Sequence, residues 1–168
     1  GRVGRYVFIS SISVYADFAQ ANNEASPIGR IDDGDTELVD GRSYGPLKAL
    51  CEEAVTARFG PSALLIRPGL IVGPHDPTQR FTYWPARVAR AAPGEAVLVP
   101  GTADTWVQFI DVRDLVGFVL QAIERACSGA MNLTAPPRSQ TMGALLAACA
   151  QAAGTRPRWH WASAEQVA

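Results

Sequence analysis

The sequence predicts an α/β protein built on a parallel sheet, and three observations carry that prediction. Tyr6-Val7-Phe8-Ile9-Ser10 is a short apolar, β-branched run of the kind that forms a buried strand in a parallel sheet. Ala63-Leu64-Leu65-Ile66-Arg67 is a second such run. Between them, Leu47, Leu50, Cys51, Ala54 and Val55 recur at i, i+3, i+4, i+7 and i+8, the spacing of a helix with one apolar stripe. A strand, helix and strand of these lengths make a crossover unit that brings both strand ends to one edge of the sheet.

Each element has its own punctuation. The first strand ends in Ser10-Ser11-Ile12-Ser13-Val14-Tyr15. Hydroxyls at the carboxyl end of a buried strand sit where open α/β sheets place ligand chemistry, and serines also satisfy turn backbone groups there, so both readings stand for Ser11. Residues 16–42 are polar, contain Asn22-Asn23, Ser26-Pro27 and Asp32-Asp33-Gly34-Asp35, and show no sustained period; a loop this long is usually functional or mobile. Ser43 is placed to cap the helix, Pro46 falls in its first turn, and Gly60-Pro61 stops it. After the second strand comes the loop Pro68-Gly69-Leu70-Ile71-Val72-Gly73-Pro74, so Ser11 and Pro68 are expected to be neighbours. His75 continues that loop and reads as a surface residue.

Further along, Trp84–Ala92 suits a short helix, Ala96–Val99 a strand closed by Pro100-Gly101, and Trp106–Ile110 a strand running into a helix capped by Asp111. The buried stripe of that helix is expected to be Val112, Leu115, Val116, Val119, Leu120 and Ile123. Met131-Asn132-Leu133 follows as a short strand. Thr141 caps a last long helix carrying Met142, Leu145, Leu146 and Cys149, with Gly154 at its end. Trp159-His160-Trp161 alternates like a strand, with His160 on its exposed side.

Composition bounds the function. A chain of 168 residues with 48% hydrophobic and 18% charged residues buries a real core, as one domain or a large part of one. A net charge of −1, with scattered basic residues, gives no electrostatic reason to expect nucleic acid or an anionic membrane as partner. No apolar run approaches the roughly 20 residues of a membrane span. Cys51, Cys127 and Cys149 lack metal-ligand spacing and lie in apolar helical patterns, which suggests reduced, buried thiols in a cytoplasmic protein and no metal site. The chain opens on Gly1 and stops as a helix begins at Glu165, so both ends read as cuts.

The stretch Ser43-Tyr44-Gly45-Pro46-Leu47-Lys48 carries the chemistry. Residues four apart share a helix face, so a phenol and an ammonium stand side by side. A fixed positive charge beside a phenol favours its ionised form, which makes a usable acid/base pair. Lys48 is also the only lysine among fifteen basic residues, and arginine's planar fork does not replace a compact ammonium in a tight site. A lysine on a solvated helix face is the plainer alternative.

Taken in order, Ser10-Ser11-x-x-Val14-Tyr15, Tyr44-x-x-x-Lys48, Arg67-Pro68-Gly69-x-x-Val72-Gly73-Pro74 and Gln108-Phe109-Ile110-Asp111-Val112-Arg113-Asp114-Leu115 resemble the extended short-chain dehydrogenase/reductase superfamily, the NAD-dependent epimerase/dehydratase group. The resemblance implies a partial Rossmann-like parallel sheet, made of the later strands, plus part of the small C-terminal substrate domain. Residues 1–75 would be the C-terminal half of the dinucleotide-binding domain. Residues 76–168 would hold substrate-domain elements interleaved with a returning strand and helix. Ser11 would then hydrogen-bond the substrate oxygen, with Ser13 and Tyr15 beside it on the substrate. Tyr44 would be the acid/base, and Lys48 would bind the nicotinamide ribose and assist the tyrosine. The backbone of Pro68, Gly69 and Leu70 would meet the carboxamide of NAD or NADP.

Three departures shape the expectation. The family's G-x-G-x-x-G fingerprint is missing, since Gly1 and Gly4 precede a strand and not a helix, so the chain alone is expected to bind NAD(P) weakly or not at all. Leu70 stands where sugar-nucleotide members often carry Asn, and Val107 where they place a phosphate-binding Arg. The implied substrate is therefore a small carbonyl or alcohol and not a nucleotide sugar. Some atypical members of the superfamily are RNA-associated, which leaves a non-catalytic or RNA-binding relative as the alternative reading. The resemblance also implies a homodimer through the Tyr44/Lys48 helix, with Cys51, Ala54 and Val55 at the seam.

Overall fold

The computed structural model describes the backbone of residues 3–167 and their side chains except those of Ala164 and Val167; Gly1 lies outside the described residues. In chain order the elements are β1 (Tyr6–Ile9), a 3-10 turn (Ile12–Val14), α1 (Tyr44–Phe59), β2 (Ala63–Pro68), β3 (Leu70–Val72), α2 (Tyr83–Ala89), β4 (Ala96–Pro100), β5 (Phe109–Asp111), α3 (Val112–Glu124), β6 (Gly129–Leu133), α4 (Met142–Ala153), β7 (Arg158–Ala162) and α5 (Ala164–Val167). The fold is α/β, as its sequence predicts. The chain divides into two units. The first runs to Ile71 and takes back Ile110–Thr134; the second is Val72–Phe109 with the residues from Ala135 onward.

The first unit is a three-stranded parallel sheet in the order β1-β2-β6. All six residues of the central strand β2 are buried. Removing Leu64 and Ile66 from water stabilises the fold by about 1.5–3 kcal/mol each. Leu115, Val119 and Ala122 of α3 pack on them, joined by Ile71 and Ile110. The short strands β3 and β5 pair with one another. Edge position explains one departure from expectation: β1 is half-exposed, with Tyr6 and Ile9 open, because among the described residues a strand covers one of its sides.

Two helices present other faces than their apolar periodicity suggests. In α1 the buried residues are Gly45, Ala49 and Glu52, while Cys51 and Ala54 are exposed. The helix packs through a glycine contact and a buried carboxylate, neither of which a hydrophobic stripe records. In α3, Val116, Leu120 and Ile123 are exposed and Ala122 is buried in their place. The thiols are correspondingly less buried than expected: Cys51 is exposed, Cys127 and Cys149 are half-buried, and all three are free.

The caps divide in the same way. Asp111 accepts from Arg113 N at 2.8 Å and Thr141 accepts from Ala144 N at 3.2 Å, as their positions predict. Ser43 does not cap α1 with its side chain. Its hydroxyl donates to Leu38 O at 2.6 Å, and Asp40 Oδ1 instead accepts from Arg42 N and Ser43 N at 2.7 and 2.9 Å. Those bonds hold the Asp40 carboxyl below the ordinary carboxylate range.

In the second unit β4 and β7 form a parallel pair. Val97, Val99, Leu146 and Val88 are fully buried among Met142, Leu145, Trp159 and Trp161. The helix α4 ends on Gly154 at φ 66°, the left-handed conformation that favours glycine. His160 lies on the exposed side of β7, and His75 is exposed in its loop. No helix among the described residues is long and apolar enough to cross a membrane.

Candidate functional site

The site begins where β1 ends. Ser10 N continues the β1–β2 ladder by donating to Ile66 O at 2.7 Å. The chain then turns through Ile12–Val14, and Ser11 caps the turn: its Oγ accepts from Ser13 N and donates to Ser13 Oγ, both at 3.0 Å. Satisfying the turn and offering a half-exposed hydroxyl are therefore one arrangement at Ser11 and not two competing ones.

Gly45 decides how closely α1 approaches that turn. A Cβ at this position would stand 2.0 Å from the Ser13 carbonyl oxygen, where no side chain fits. The absence of a side chain lets the first turn of the helix rest on the serine turn, and this sets the neighbouring Tyr44 beside Ser13. Both line an open pocket of about 550 Å³ with Tyr15 and Pro46. Lys48, one turn on, donates from Nζ to Ile9 O at 2.7 Å and lies 4.4 Å from the centre of the Phe8 ring. It thus reaches the carboxyl end of β1.

Continuing along the same helix face, Tyr44 and Lys48 are followed at the next i+4 step by Glu52, which is buried. Its carboxylate takes a bidentate grip from Arg67: Nε to Oε1 at 2.9 Å and Nη2 to Oε2 at 2.6 Å. The two side chains are 4% and 6% exposed, so neither charge can be left unpaired without a large penalty. Arg67 also donates to the Tyr15 hydroxyl at 3.1 Å, and Tyr15 donates onward to Asn132 Oδ1 at 2.6 Å. Asn132 N donates to Glu24 Oε1 at 2.8 Å, which draws the Glu24 carboxyl below its ordinary range. Hydrogen bonding to Glu52 raises the Arg67 pKa above the usual guanidinium value, against the opposing effect of burial. One polar network therefore ties together α1, the serine turn, β2, β6 and the long loop.

This network is what sequence reasoning missed. Glu52 four residues after Lys48, and Arg67 closing an otherwise apolar strand, were its only signals, because a charge in such a strand must find a partner. Tyr15 was expected on the substrate; its ring is buried and its hydroxyl is engaged by Arg67 and Asn132.

The Pro68-Gly69-Leu70 loop lies at the neighbouring strand end. Gly69 N donates to Leu133 O at 3.1 Å, and a Cβ on Gly69 would meet Thr134 Oγ1 at 3.0 Å and Ile12 Cδ1 at 3.8 Å. Thr134 Oγ1 and Ser10 Oγ are buried hydroxyls without a hydrogen-bond partner among the described residues. Ser11, Ser13, Tyr15, Tyr44, Lys48 and the loop all belong to the first unit. Of these, Ser13, Tyr15 and Tyr44 line the pocket, and Ser11, Lys48 and Pro68–Leu70 are not among its walls.

Against known families, residues 1–133 match the model of the NAD dependent epimerase/dehydratase family. The chain belongs to that family. The matched span takes in the serine turn, Tyr44, Lys48, Arg67 and the loop after it, and it ends with β6. Among solved structures, the chain is similar to dTDP-4-dehydrorhamnose reductase from Bacillus anthracis, in complex with NADP, at 15% identity and a TM-score of 0.67 over 97% of this chain and 52% of that one. It is similar to UDP-glucuronic acid 4-epimerase from Bacillus cereus, in complex with NAD, at 14% identity and 0.68 over 95% and 50%. RMD from Pseudomonas aeruginosa, complexed with NADPH, aligns at 19% and 0.63 over 99% and 55%. These likenesses show the fold, a Rossmann-like α/β arrangement. The chain spans about half the length of the solved structures it resembles. No curated protein sequence matches it.

Within this epimerase/dehydratase fold, the Gln108–Leu115 motif serves a structural end. Arg113 grips Asp111 through Nε and Nη2 at 2.9 and 2.7 Å, which holds the Asp111 carboxyl down to about 2 and fixes the cap of α3.

Proposed function

We propose that this chain carries the proton-handling side of an NAD(P)-dependent oxidoreductase or epimerase site. The observation that carries the reading is the seating of Tyr44 on the serine turn through Gly45, with Lys48 reaching the end of β1. Tyr44 exchanges a proton with the substrate oxygen at its phenolic O. Ser11 hydrogen-bonds the same oxygen as charge develops on it, and Ser13 and Tyr15 shape the wall behind it. Lys48 serves the nicotinamide ribose.

The residues present suit the nicotinamide end of a dinucleotide. Gly69 lets Thr134 and Ile12 approach the backbone at the strand end, and the hydroxyls of Ser10 and Thr134, without a partner among the described residues, lie at the neighbouring strand ends with hydrogen-bonding capacity to spare. NAD or NADP supplies the hydride acceptor and donor when bound. The relatives named above bind NADP, NAD and NADPH, which supports the same cofactor class here.

A small carbonyl or alcohol is the favoured substrate. Val107 packs into the apolar core of the second unit, where it offers nothing to a phosphate, and Leu70 supplies no amide. Two of the relatives are named for dTDP- and UDP-linked sugars, so a nucleotide sugar is the competing class. The exposed Cys51 and Ala54 on α1 support a homodimer built on that helix, and three free thiols suit a reducing, cytoplasmic setting. The test is nicotinamide turnover after the Tyr44→Phe change in a protein that joins this chain to the glycine fingerprint it lacks. A loss of about 10²- to 10⁴-fold in kcat, with the fold intact by circular dichroism, supports the assignment. Unchanged turnover removes it.

A further inference from the structure

The loop of residues 16–42 is acidic, with Asp17, Glu24, Asp32, Asp33, Asp35, Glu37 and Asp40 against two bases, Arg30 and Arg42. The pocket that Tyr44 lines sorts these charges: both arginines are in its wall and none of the seven carboxylates is. Two of the acids next to the pocket residues are engaged by the backbone. Asp40 Oδ1 accepts from two backbone N–H groups at 2.7 and 2.9 Å and lies 3.2 Å from the Ser43 hydroxyl, while Asp17 Oδ1 accepts from Ala19 N at 2.8 Å. The ion pairs among the described residues join Arg67, Arg87 and Arg113 to their acids and include neither Arg30 nor Arg42. Phe18 adds an apolar wall, and a volume of about 550 Å³ suits a small molecule.

We infer that the substrate carries an oxyanion group, a carboxylate or a phosphoryl group, held by Arg42 and Arg30 while its reacting oxygen meets Tyr44. A guanidinium fork matches either group in geometry and charge, and two arginines in the wall of a cavity whose lining includes no carboxylate favour an anion. A single anionic group on a small molecule is compatible with the absence of a phosphate clamp at Val107. The inference rests on the proposed function only for which end of the substrate reacts.

The test is a backbone-amide NMR titration of the purified protein with two matched pairs: pyruvate against pyruvamide, and dihydroxyacetone phosphate against dihydroxyacetone. The shifts of Ser13, Gly29, Gly41 and Gly45 report the pocket. At least about tenfold tighter binding of one charged member over its neutral partner is expected, with the favoured pair identifying the anion. Arg42→Gln and Arg30→Gln should each remove most of that preference, and added salt should weaken it. Equal binding within both pairs, no binding of either charged member, or a preference that survives both substitutions overturns the inference. Tyr44→Phe separates it from the catalytic reading: the charge preference should persist in that protein whether or not turnover does.

Discussion

The two units of the chain are built from opposite materials. Among the described residues, every buried polar or charged side chain, Ser10, Ser43, Glu52 and Arg67, lies in the first unit. In the second, the residues buried as a whole are apolar, from Val88 and Val97 to Leu146 and Ala162, and the buried polar atom there is a single carboxylate oxygen, Asp76 Oδ2. The difference teaches what each unit is for. An apolar core tolerates small shifts and positions nothing charged, whereas a buried ion pair with a hydrogen-bonded tyrosine fixes its neighbours only while every member is present. The first unit accepts that risk and carries the candidate chemistry.

The sharpest way to break this comparison is Arg67→Met. It leaves the Glu52 carboxylate buried and alone, and should cost about 3–5 kcal/mol in urea unfolding followed by far-UV circular dichroism. Adding Glu52→Leu should recover most of the loss, since a buried pair replaced by apolar groups is often near neutral. A single substitution no worse than the double would mean that the pair is not closed to solvent.

In the second unit Leu146→Ala should cost about 2–5 kcal/mol through the cavity it leaves. All four tryptophans, Trp84, Trp106, Trp159 and Trp161, belong to that unit, so tryptophan fluorescence isolates its unfolding. A matching change in the amide signals of Ser13 and Gly45 would show that the units are not separable.

Gly45→Ala probes the seam between helix and serine turn. With its Cβ 2.0 Å from the Ser13 carbonyl oxygen, α1 must move, at about 1–3 kcal/mol for a local overpacking. The displacement should show as altered NMR shifts at Ser13 and Tyr44; undisturbed shifts would remove Gly45 from the account.

The smallest effect expected is in acid. The folded pKa of Asp111 is held to about 2, below the ordinary value, so its cap and its Arg113 pair stabilise α3 above the unfolded pKa. That contribution is lost as pH falls from about 4 toward 2. Asp111→Asn should flatten the pH dependence of thermal unfolding across that window, and an unaltered slope would count against the pair.

Much of the fold was legible because it rests on apolar runs and caps. The strand at Ala63, the Thr141 and Asp111 caps and the Gly154 terminus all follow from local residue chemistry. The buried side of α1 was not legible. Gly45 packs by having no side chain, and Glu52 is buried only because Arg67, fifteen residues away in sequence, reaches it. Periodicity registers neither. The arginines of the pocket lie in a loop without period, where only the folded chain shows which charges line a cavity.

The most direct measurement compares nicotinamide turnover by Tyr44→Phe and by Leu146→Ala, each made in a protein that joins this chain to the glycine fingerprint and each at a temperature where circular dichroism shows it folded. The account predicts a loss of about 10²- to 10⁴-fold in kcat for the first and near-normal turnover for the second. Comparable turnover in the two proteins would contradict the assignment of proton transfer to the first unit.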